Sequence, residues 1–577
     1  MPQKESIRIE INVPVNMRDG TTLYADICRP DIEGRFPAIL TRLWHNKTGM
    51  LAGGRDSYLN PLRMARAGYA VVIQDCRGTG ASEGEFYPWR GNMDDGYDSV
   101  EWIAAQSWCD GNVGMYGLSH HAYSQWAAAL SQPPHLKAIC PAQHPITSRG
   151  EPTVKGGVFR LQTNIAVTLG QIANAMSKSN LPPNELKSIR EVMAHITNDI
   201  EELSLFLPLK DAPFVKLAEQ LGLFPFYIDW LMHIDDADYW EKLCSPAPLE
   251  KVIVPVFQIC GWYDVFAMGG NLKNYEAMKT RGGSDLSRKN QKVIMGPWIH
   301  GTELTSNVGE LNFGMASAGA SIDVTGMHIR WFDRWLKGIE NGITEEPPIR
   351  IFVMGDNIWR DEYEWPIART KYINFYLHSG GQANSRSGDG VLSQEIPDIE
   401  ETDVFHYDPR NPVPTKEGGP LDQEKLEKRS DVLVYTSAPL DSEIEVTGPI
   451  IVKLWAASSA IDTDFTGKLV DVWPNGKAYN IVDGIVRARY RDSITAAKFV
   501  EPGKVYEFTI DLGATSNVFK TGHRIRVDIS SSNFPKWDRN LNTGHPIGQD
   551  AEIKVALQTI YHERQYPSHI ILPIIPR

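Results

Sequence analysis

Long apolar runs are missing from this sequence of 577 residues. No stretch approaches the roughly 20 consecutive apolar residues that a membrane-spanning helix needs. The first fifteen residues, MPQKESIRIEINVPV, alternate polar and apolar side chains like a strand, whereas a secretory signal peptide carries an unbroken apolar segment. The sequence therefore argues against a membrane protein, and we expect a cytoplasmic location.

Clustered positive charge is also missing. The chain has 71 acidic and 58 basic residues, a formal net charge of −13, and the charges are spread along its length. A protein that binds nucleic acid needs a basic patch to neutralise phosphates. Nucleic acid is therefore not an expected partner.

Cysteine is scarce, and the chain has no CxxC pair and no Cys/His spacing suited to zinc. The six cysteines are Cys28, Cys76, Cys109, Cys140, Cys244 and Cys260. We interpret them as small buried apolar residues of a reducing compartment and not as a disulfide framework. Neither a metal site nor a cofactor is predicted.

The sequence contains three kinds of pattern, one after another along the chain. At 577 residues it is also too long for one hydrophobic core. Residues 37–44, 69–76 and 113–119 are short apolar runs typical of buried strands, with a helical pattern between the last two, which predicts a parallel sheet covered by helices. Apolar residues step by three or four from Leu186 to Leu203, which predicts a helical insertion. From residue 346 onward short strands dominate, as in a β-sandwich or jelly roll.

The sharpest local motif is Gly117-Leu118-Ser119-His120-His121, at the end of a predicted strand and the start of a predicted helix. A serine on such a turn presents its hydroxyl above the sheet, as in the nucleophile elbow of α/β-hydrolases. That motif usually has glycine where this chain has His121. A serine that only caps the helix is the alternative interpretation of Ser119.

A serine nucleophile needs a base and an orienting carboxylate, which should follow in the order Ser, Asp, His. Asp264 ends the apolar run VFQICGWYD and His300 ends VIMGPWIH, so each follows a predicted strand. We therefore predict a catalytic triad of Ser119, Asp264 and His300. The alternative or additional role of Asp264 is the N-cap of a predicted helix over VFAMGGNLKNYEAM.

The other histidines are weaker candidates for the base. His120 and His121 adjoin the serine in sequence, where side chains along a helix start point away from one another. Three more histidines lack strand-end context and are interpreted as ordinary polar or half-buried residues: His144, His233 and His328.

Several longer motifs resemble the cocaine esterase and X-Pro dipeptidyl-peptidase family (CocE/NonD hydrolases). They are DxRGxxxSEGEF at 75–86, WCDGNVGMYGLS at 108–119, GWYD at 261–264, GPWIH at 296–300 and DTDFTGKLVDVWPNGKAYNIVDGIVRARYR at 462–491. The resemblance implies an α/β-hydrolase catalytic domain (residues 1–145 and 246–345), a helical cap domain (146–245) and a β jelly-roll, galactose-binding-like domain (346–577). It also assigns nucleophile, acid and base to Ser119, Asp264 and His300.

The resemblance further implies an oxyanion hole made by the backbone N–H after the nucleophile, here that of His120, and by a tyrosine hydroxyl. This chain has His45 where the tyrosine is expected, and an imidazole N–H can donate to an oxyanion in the correct tautomer. We therefore expect His45 to be the second donor. The alternatives are a structural surface histidine, or a shifted register that makes the indole of Trp44 the donor.

For the substrate pocket we name Trp44, His121 and Phe266. A protonated histidine beside the nucleophile would favour an acidic acyl group, although inert packing explains the His120-His121 pair as well. The expected function is hydrolysis of a small carboxylic ester through an acyl-enzyme. Amide or X-Pro dipeptide hydrolysis, acyl transfer, and a non-catalytic binding protein on a decayed hydrolase scaffold stay open, as does a homo-oligomer.

Overall fold

Two large β-sheets with helices between and around them make up the structure, a computed structural model. It describes residues 6–52, 59–146, 153–198, 200–223, 226–244, 248–266, 269–301, 304–416 and 418–577. The first sheet has ten strands and the second has eleven.

The strands and helices follow in chain order. The strands are β1 (Ile7–Asn16), β2 (Thr22–Pro30), β3 (Phe36–Leu43), β4 (Ala70–Asp75), β5 (Cys109–Leu118), β6 (Leu136–Ala142), β7 (Val154–Lys155), β8 (Val158–Phe159), β9 (Val256–Tyr263), β10 (Gln291–Ile299), β11 (Asn307–Val308), β12 (Leu311–Asn312), β13 (Ile349–Val353), β14 (Ile358–Glu362), β15 (Lys371–His378), β16 (Val391–Ser393), β17 (Asp403–Tyr407), β18 (Leu433–Thr436), β19 (Ile444–Ser458), β20 (Asp464–Val472), β21 (Ala478–Arg487), β22 (Tyr506–Phe519), β23 (Arg524–Ser530), β24 (Ala556–Tyr561) and β25 (His569–Ile575). The helices are α1 (Pro61–Arg66), α2 (Asn92–Ala104), α3 (His120–Ser131), α4 (Leu161–Lys178), α5 (Pro183–Asn198), α6 (Ile200–Leu205), α7 (Pro213–Gln220), α8 (Phe226–Met232), α9 (Ala237–Cys244), α10 (Gly270–Arg281), α11 (Asp285–Lys289) and α12 (Val324–Leu336).

The first sheet has the strand order β1-β2-β4-β3-β5-β6-β9-β10-β13-β14. Its seven central strands, from β4 to β13, run parallel, and antiparallel strands close both edges. Strands such as β4 and β9 are buried along their whole length, as expected for a sheet with helices on both faces. Because parallel strands end at the same edge, the residues that follow β5, β6, β9 and β10 meet there.

Strand β13 corrects one detail of the sequence interpretation, which grouped IRIFVMG with the C-terminal β domain. It pairs in parallel with β10 through Val293 opposite Ile349, so it extends the first sheet. A short apolar run has the same sequence pattern in either sheet. Only the strand with which it pairs shows to which sheet it belongs. The first sheet therefore continues past the predicted boundary at 345/346. The boundary at 245/246 lies outside the described residues, and the division at 145/146 stays a prediction.

The insertion between β6 and β9 is helical, as predicted, and contains α4 to α9. Ile189, Met193 and Ile196 form the buried stripe of α5. The apolar cluster under these helices also includes Trp44 and Trp89 from the first sheet's loops, and Tyr490 and Phe534 from the C-terminal part of the chain. The inserted helices therefore pack on both neighbours.

The second sheet contains β15 to β25 and is antiparallel around the long strand β19, while β16 and β18 pair in parallel. Strand β19 pairs with β22, β24 and β25, and its side chains alternate between buried and partly buried positions over much of its length. A separate apolar cluster fills its interior, with Val452, Leu454 and Phe508 among its members. This core stabilises the C-terminal part of the chain independently of the first sheet.

Five of the six cysteines, all except Cys244, whose side chain lies outside the described part, are buried free thiols. In the described part of the chain we find no helix that is both long enough and apolar enough to cross a membrane.

Candidate active site

Ser119 lies on a sharp turn between the end of β5 and the start of α3. Its backbone has φ 58° and ψ −125°, a conformation that residues other than glycine rarely adopt. Gly117 has φ 138°, and a Cβ built there would lie 2.5 Å from the Cβ of His121. His121 stands where the motif usually has glycine, and the next residue, Ala122, is fully buried and donates its N–H to the Ser119 carbonyl. The strained turn of a nucleophile elbow is thus formed without that glycine.

His300 and Asp264 follow the neighbouring strands β10 and β9 and form a hydrogen bond. Nδ1 of His300 lies 3.0 Å from Oδ1 of Asp264, whose side chain is fully buried. The same oxygen accepts the N–H of Phe266 at 2.9 Å, so Asp264 both caps the turn and orients the imidazole. An ionised carboxylate at Nδ1 keeps the proton on that nitrogen and leaves Nε2 as the acceptor.

Ser119 and His300 line one cavity of about 470 Å³ at the carboxyl edge of the first sheet. Its other lining residues are Trp44, His45, Trp89, His144, Thr153, Thr163, Asn164, Ala166, Val167, Gly170, Gln171, Trp230 and Phe266. Helix α4 supplies one wall and Trp230 of α8 closes another. Within the described residues no hydrogen bond joins the Ser119 hydroxyl to His300, as is common in the absence of substrate.

The predicted pocket residues divide into two groups. Trp44 and Phe266 line the cavity, and the Phe266 ring packs edge-on against His300 with 4.2 Å between ring centroids. His121, in contrast, is buried and is not among the residues that line the cavity, which does not support its expected pocket role.

The charge that we considered for the His120-His121 pair does not form. Burial, with help from neighbouring histidines, holds the pKa of His120 well below its usual range. Burial, followed by the nearby His45, lowers the pKa of His121 to about 3. Both rings are therefore neutral near pH 7, because burial penalises the imidazolium and no carboxylate among the described residues is a main influence on either pKa. The interpretation that they attract an acidic acyl group is wrong, and packing explains them.

The loop after β3 places His45 at the cavity next to Trp44. The indole N–H of Trp44 donates to Nε2 of His45 at 2.5 Å. This donor is therefore already in use, which disfavours Trp44 as an oxyanion donor. Downstream, Lys47 anchors the loop, since its N–H donates to Oδ1 of Asp75 at 2.7 Å and its ammonium pairs with Asp26 at 2.8 Å.

The backbone N–H of His120 is in the first turn of α3, where N–H groups lack intrahelical acceptors. The helix N-terminus adds a partial positive charge at this position. The ring of His120 stacks on the Trp44 indole, with centroids 4.2 Å apart and planes 12° from parallel. Of the two residues named for the oxyanion hole, His120 thus stacks on the face of this indole and His45 accepts the hydrogen bond at its N–H edge.

Sequence reasoning missed two residues that follow β6. We interpreted His144 as lacking strand-end context, and this is wrong: it lies two residues beyond the end of β6 and lines the cavity. Burial lowers its pKa to about 4, a smaller opposing effect comes from its bond to the Pro145 carbonyl, and His300 lowers it further. Its neighbour Gln143 contacts the main chain around His300.

The apolar run LKAICPA at 136–142 carries the signal that points to both residues, because a strand there predicts functional side chains directly after it. By contrast His233 and His328, also set aside, do not line the cavity. No group of three or more His, Cys, Asp or Glu that is suited to a metal ion occurs in the described ranges.

Comparison with known proteins places these features in context. Residues 19–302 match the profile of a family described as X-Pro dipeptidyl-peptidase (S15 family). Residues 341–571 match the X-Pro dipeptidyl-peptidase C-terminal non-catalytic domain. Together the two profiles cover most of both sheets, while β1 precedes the first profile.

The chain is similar along its whole length to the cocaine esterase of Rhodococcus sp. (strain MB1 Bresler), with 40% identity over 98% of each chain. One similar solved structure is an aminopeptidase from the marine sediment archaeon Thaumarchaeota archaeon, with TM-score 0.79, 24% identity, and 99% of this chain and 96% of that chain covered. Another is an α-amino acid ester hydrolase, with TM-score 0.78, 23% identity, and coverage of 100% and 97%. The structural similarities confirm the predicted α/β-hydrolase fold with a C-terminal β domain.

Proposed function

The chain belongs to the hydrolase family of cocaine esterase and the X-Pro dipeptidyl-peptidases, and from this premise we propose that Ser119, His300 and Asp264 are the catalytic triad with which it hydrolyses a small carboxylic ester. It is a serine hydrolase that acts on ester or amide bonds. The observation that carries the assignment of residues is the shared cavity of Ser119 and His300, with Asp264 hydrogen-bonded behind the imidazole.

The proposed reaction proceeds through an acyl-enzyme. Nε2 of His300 takes the proton of the Ser119 hydroxyl as its oxygen attacks the carbonyl carbon. Asp264 accepts the Nδ1–H and stabilises the imidazolium that forms. The imidazolium then protonates the leaving alcohol, and water attacks the acyl-enzyme with His300 again as base. Each of the three residues directly follows a parallel strand, β5, β9 or β10.

We propose that the backbone N–H of His120 and the Nδ1–H of His45 hold the negative oxygen of the tetrahedral intermediate. Because Nε2 of a neutral His45 accepts the Trp44 N–H, its own proton is on Nδ1. Loss of one such donor typically costs about 10² to 10³ in kcat. His45→Phe should lower kcat by that factor, and a variant with wild-type kcat would remove His45 from the oxyanion hole.

The lining of the cavity supports an uncharged ester over an X-Pro dipeptide. Holding a free amino terminus in a desolvated pocket requires a carboxylate, because an unpaired buried ammonium is costly. None of the described residues that line the cavity is Asp or Glu. Its walls are largely aromatic and aliphatic, with Trp89, Trp230 and Phe266 among them, which suits an apolar acyl or alcohol group.

The triad is tested by labelling with a fluorophosphonate, which reacts only with an activated serine. We expect stoichiometric labelling of the wild type and none of Ser119→Ala. Ser131→Ala, which changes a serine at the other end of α3, is the matched control and should label fully. An unlabelled wild-type protein would instead support a binding protein on a decayed scaffold.

Substrate preference needs a second measurement. A panel of p-nitrophenyl esters and X-Pro anilides should give the larger kcat/KM for esters. Faster cleavage of the anilides would favour the peptidase alternative, and product formation that depends on an added acyl acceptor would favour acyl transfer.

We also propose that the protein works in the cytoplasm on a small molecule, without nucleic acid or membrane as partner. The buried free thiols are compatible with a reducing compartment. Fractionation of the source cells tests the location, and light scattering of the purified protein tests whether copies associate into a homo-oligomer.

A further inference from the structure

Gln143 contacts the main chain on both sides of His300. Its Nε2 donates to the carbonyl of Ile299 at 2.9 Å, and its Oε1 accepts the N–H of Gly301 at 2.9 Å. One amide group thus satisfies the peptide groups before and after the proposed base. A side chain that forms this pair of bonds restrains the backbone of the residue between them.

The Gln143 side chain is itself held firmly. The residue is fully buried, and its own N–H donates to the carbonyl of Ile259 in β9 at 2.8 Å. Its backbone has φ 49°, in the left-handed region, where the chain turns after β6. Gly261 leaves room for the contact, because a Cβ there would lie 2.3 Å from the Trp298 carbonyl oxygen and 3.3 Å from Nε2 of Gln143.

This restraint acts where the sheet no longer fixes the chain. Strand β10 ends at Ile299, and its pairing with β9 becomes irregular between Gly296 and Ile299. Asp264 holds His300 only through Nδ1 of the ring. Gln143 holds the backbone of His300, which sets the direction of Nε2 of the imidazole.

We propose that Gln143 is a positioning residue for the reaction, which keeps the His300 imidazole within reach of the Ser119 hydroxyl. The proposal rests on the proposed role of His300 as general base. Gln143 does not line the cavity and acts through the main chain of His300. Since general-base catalysis depends on sub-ångström placement, loss of the restraint should slow the chemical step and leave substrate binding unchanged.

The first test compares Gln143→Met with Gln291→Met. Gln291 is also buried and bonds a main-chain carbonyl, that of Ser287, but it lies at the opposite end of β10. For Gln143→Met we expect kcat and the rate of fluorophosphonate labelling to fall together by about 10- to 100-fold, with KM within about twofold. Gln291→Met should lose thermal stability without a change in either rate.

A second variant, Gln143→Glu, keeps the size of the side chain and has a different expected signature. When it is ionised, its carboxylate accepts from Gly301 but cannot donate to Ile299. The groups facing His300 from the neighbouring strands are Asp264 and the neutral His144, and an added negative charge favours the imidazolium. The acid limb of kcat/KM should therefore move to higher pH. If Gln143→Met does not fold, this variant tests the positioning role of Gln143.

The outcomes separate the two proposals. A wild-type protein that resists the fluorophosphonate overturns the triad and with it the role of Gln143. A labelled wild type, together with Gln143→Met that reacts at the wild-type rate and Gln143→Glu with an unmoved acid limb, overturns the positioning role alone.

Discussion

The indole of Trp44 contacts His45 and His120 at once: it donates its N–H to Nε2 of His45 at 2.5 Å and stacks on the His120 ring at 4.2 Å. These are the two residues that we propose for the oxyanion hole. An imidazole that accepts at Nε2 and is neutral must carry its proton on Nδ1. The tautomer of His45 is therefore set by its neighbour in sequence.

Trp44→Phe tests this relationship, because it keeps an aromatic ring for stacking and removes the N–H donor. Nε2 of His45 can then take the proton, and kcat should fall, by less than the roughly 10² to 10³ expected for loss of the donor. Nitrogen-15 NMR of labelled histidine reports the tautomer directly. Trp89→Phe is the control, since this indole touches the Trp44 ring and has no hydrogen bond among the described residues. A His45 tautomer unchanged in Trp44→Phe would contradict the argument.

Asp264→Asn should lower kcat by about 10⁴ with little loss of stability. The oxygen that bonds Nδ1 of His300 also accepts the N–H of Phe266, so an asparagine oxygen in that place keeps the cap of the turn. The neutral amide, however, no longer stabilises the imidazolium that forms on His300. Ester hydrolysis under saturating substrate measures the effect, and a kcat within tenfold of wild type would exclude Asp264 from the triad.

Gly117→Ala should destabilise the protein and abolish labelling of Ser119. The added methyl group would approach the Cβ of His121 to 2.5 Å at a φ of 138°, which costs at least about 1 to 3 kcal/mol. Gly170→Ala in helix α4 is the stability control, because a Cβ there meets nothing within 4 Å. It should stabilise by about 0.5 to 1 kcal/mol. Thermal unfolding of both variants checks the pair, and equal melting temperatures would contradict the prediction.

His121→Phe should make the protein more resistant to acid. The folded-state pKa of His121 is about 3, below the ordinary value of 6.5, so the unfolded chain binds this proton first. The stability contributed by the neutral ring is complete above pH 6.5 and is lost as the pH falls from there toward 3. Between pH 7 and pH 5 the loss is about 2 kcal/mol. Urea unfolding at both pH values measures it, and an unchanged pH dependence in the variant would refute the assignment.

The fold and the placement of the three proposed catalytic residues were accessible from sequence for a physical reason. Ser119, Asp264 and His300 each end an apolar run, and parallel strands bring such ends to one edge. The strained turn at Ser119 forms although His121 stands where the motif usually has glycine. The pattern of apolar residues along the chain therefore predicted the course of the backbone well.

Side-chain environment was less accessible. Burial and mutual repulsion make His120 and His121 neutral, and neither effect is visible in a linear pattern. His144 and Gln143 were missed because LKAICPA is a short apolar run without alternation, which does not by itself identify a strand. The same ambiguity misplaced β13, whose sheet is decided by its contact with β10.

The apolar cluster that joins Trp44, Trp230 and Phe534 has a practical consequence for anyone who shortens this protein. Removing the C-terminal β domain would remove Tyr490 and Phe534, which pack on the helices that wall the cavity. An apolar surface of these helices would then be exposed to water. Dissection into separately expressed pieces should therefore give aggregates, and limited proteolysis should release no stable catalytic fragment.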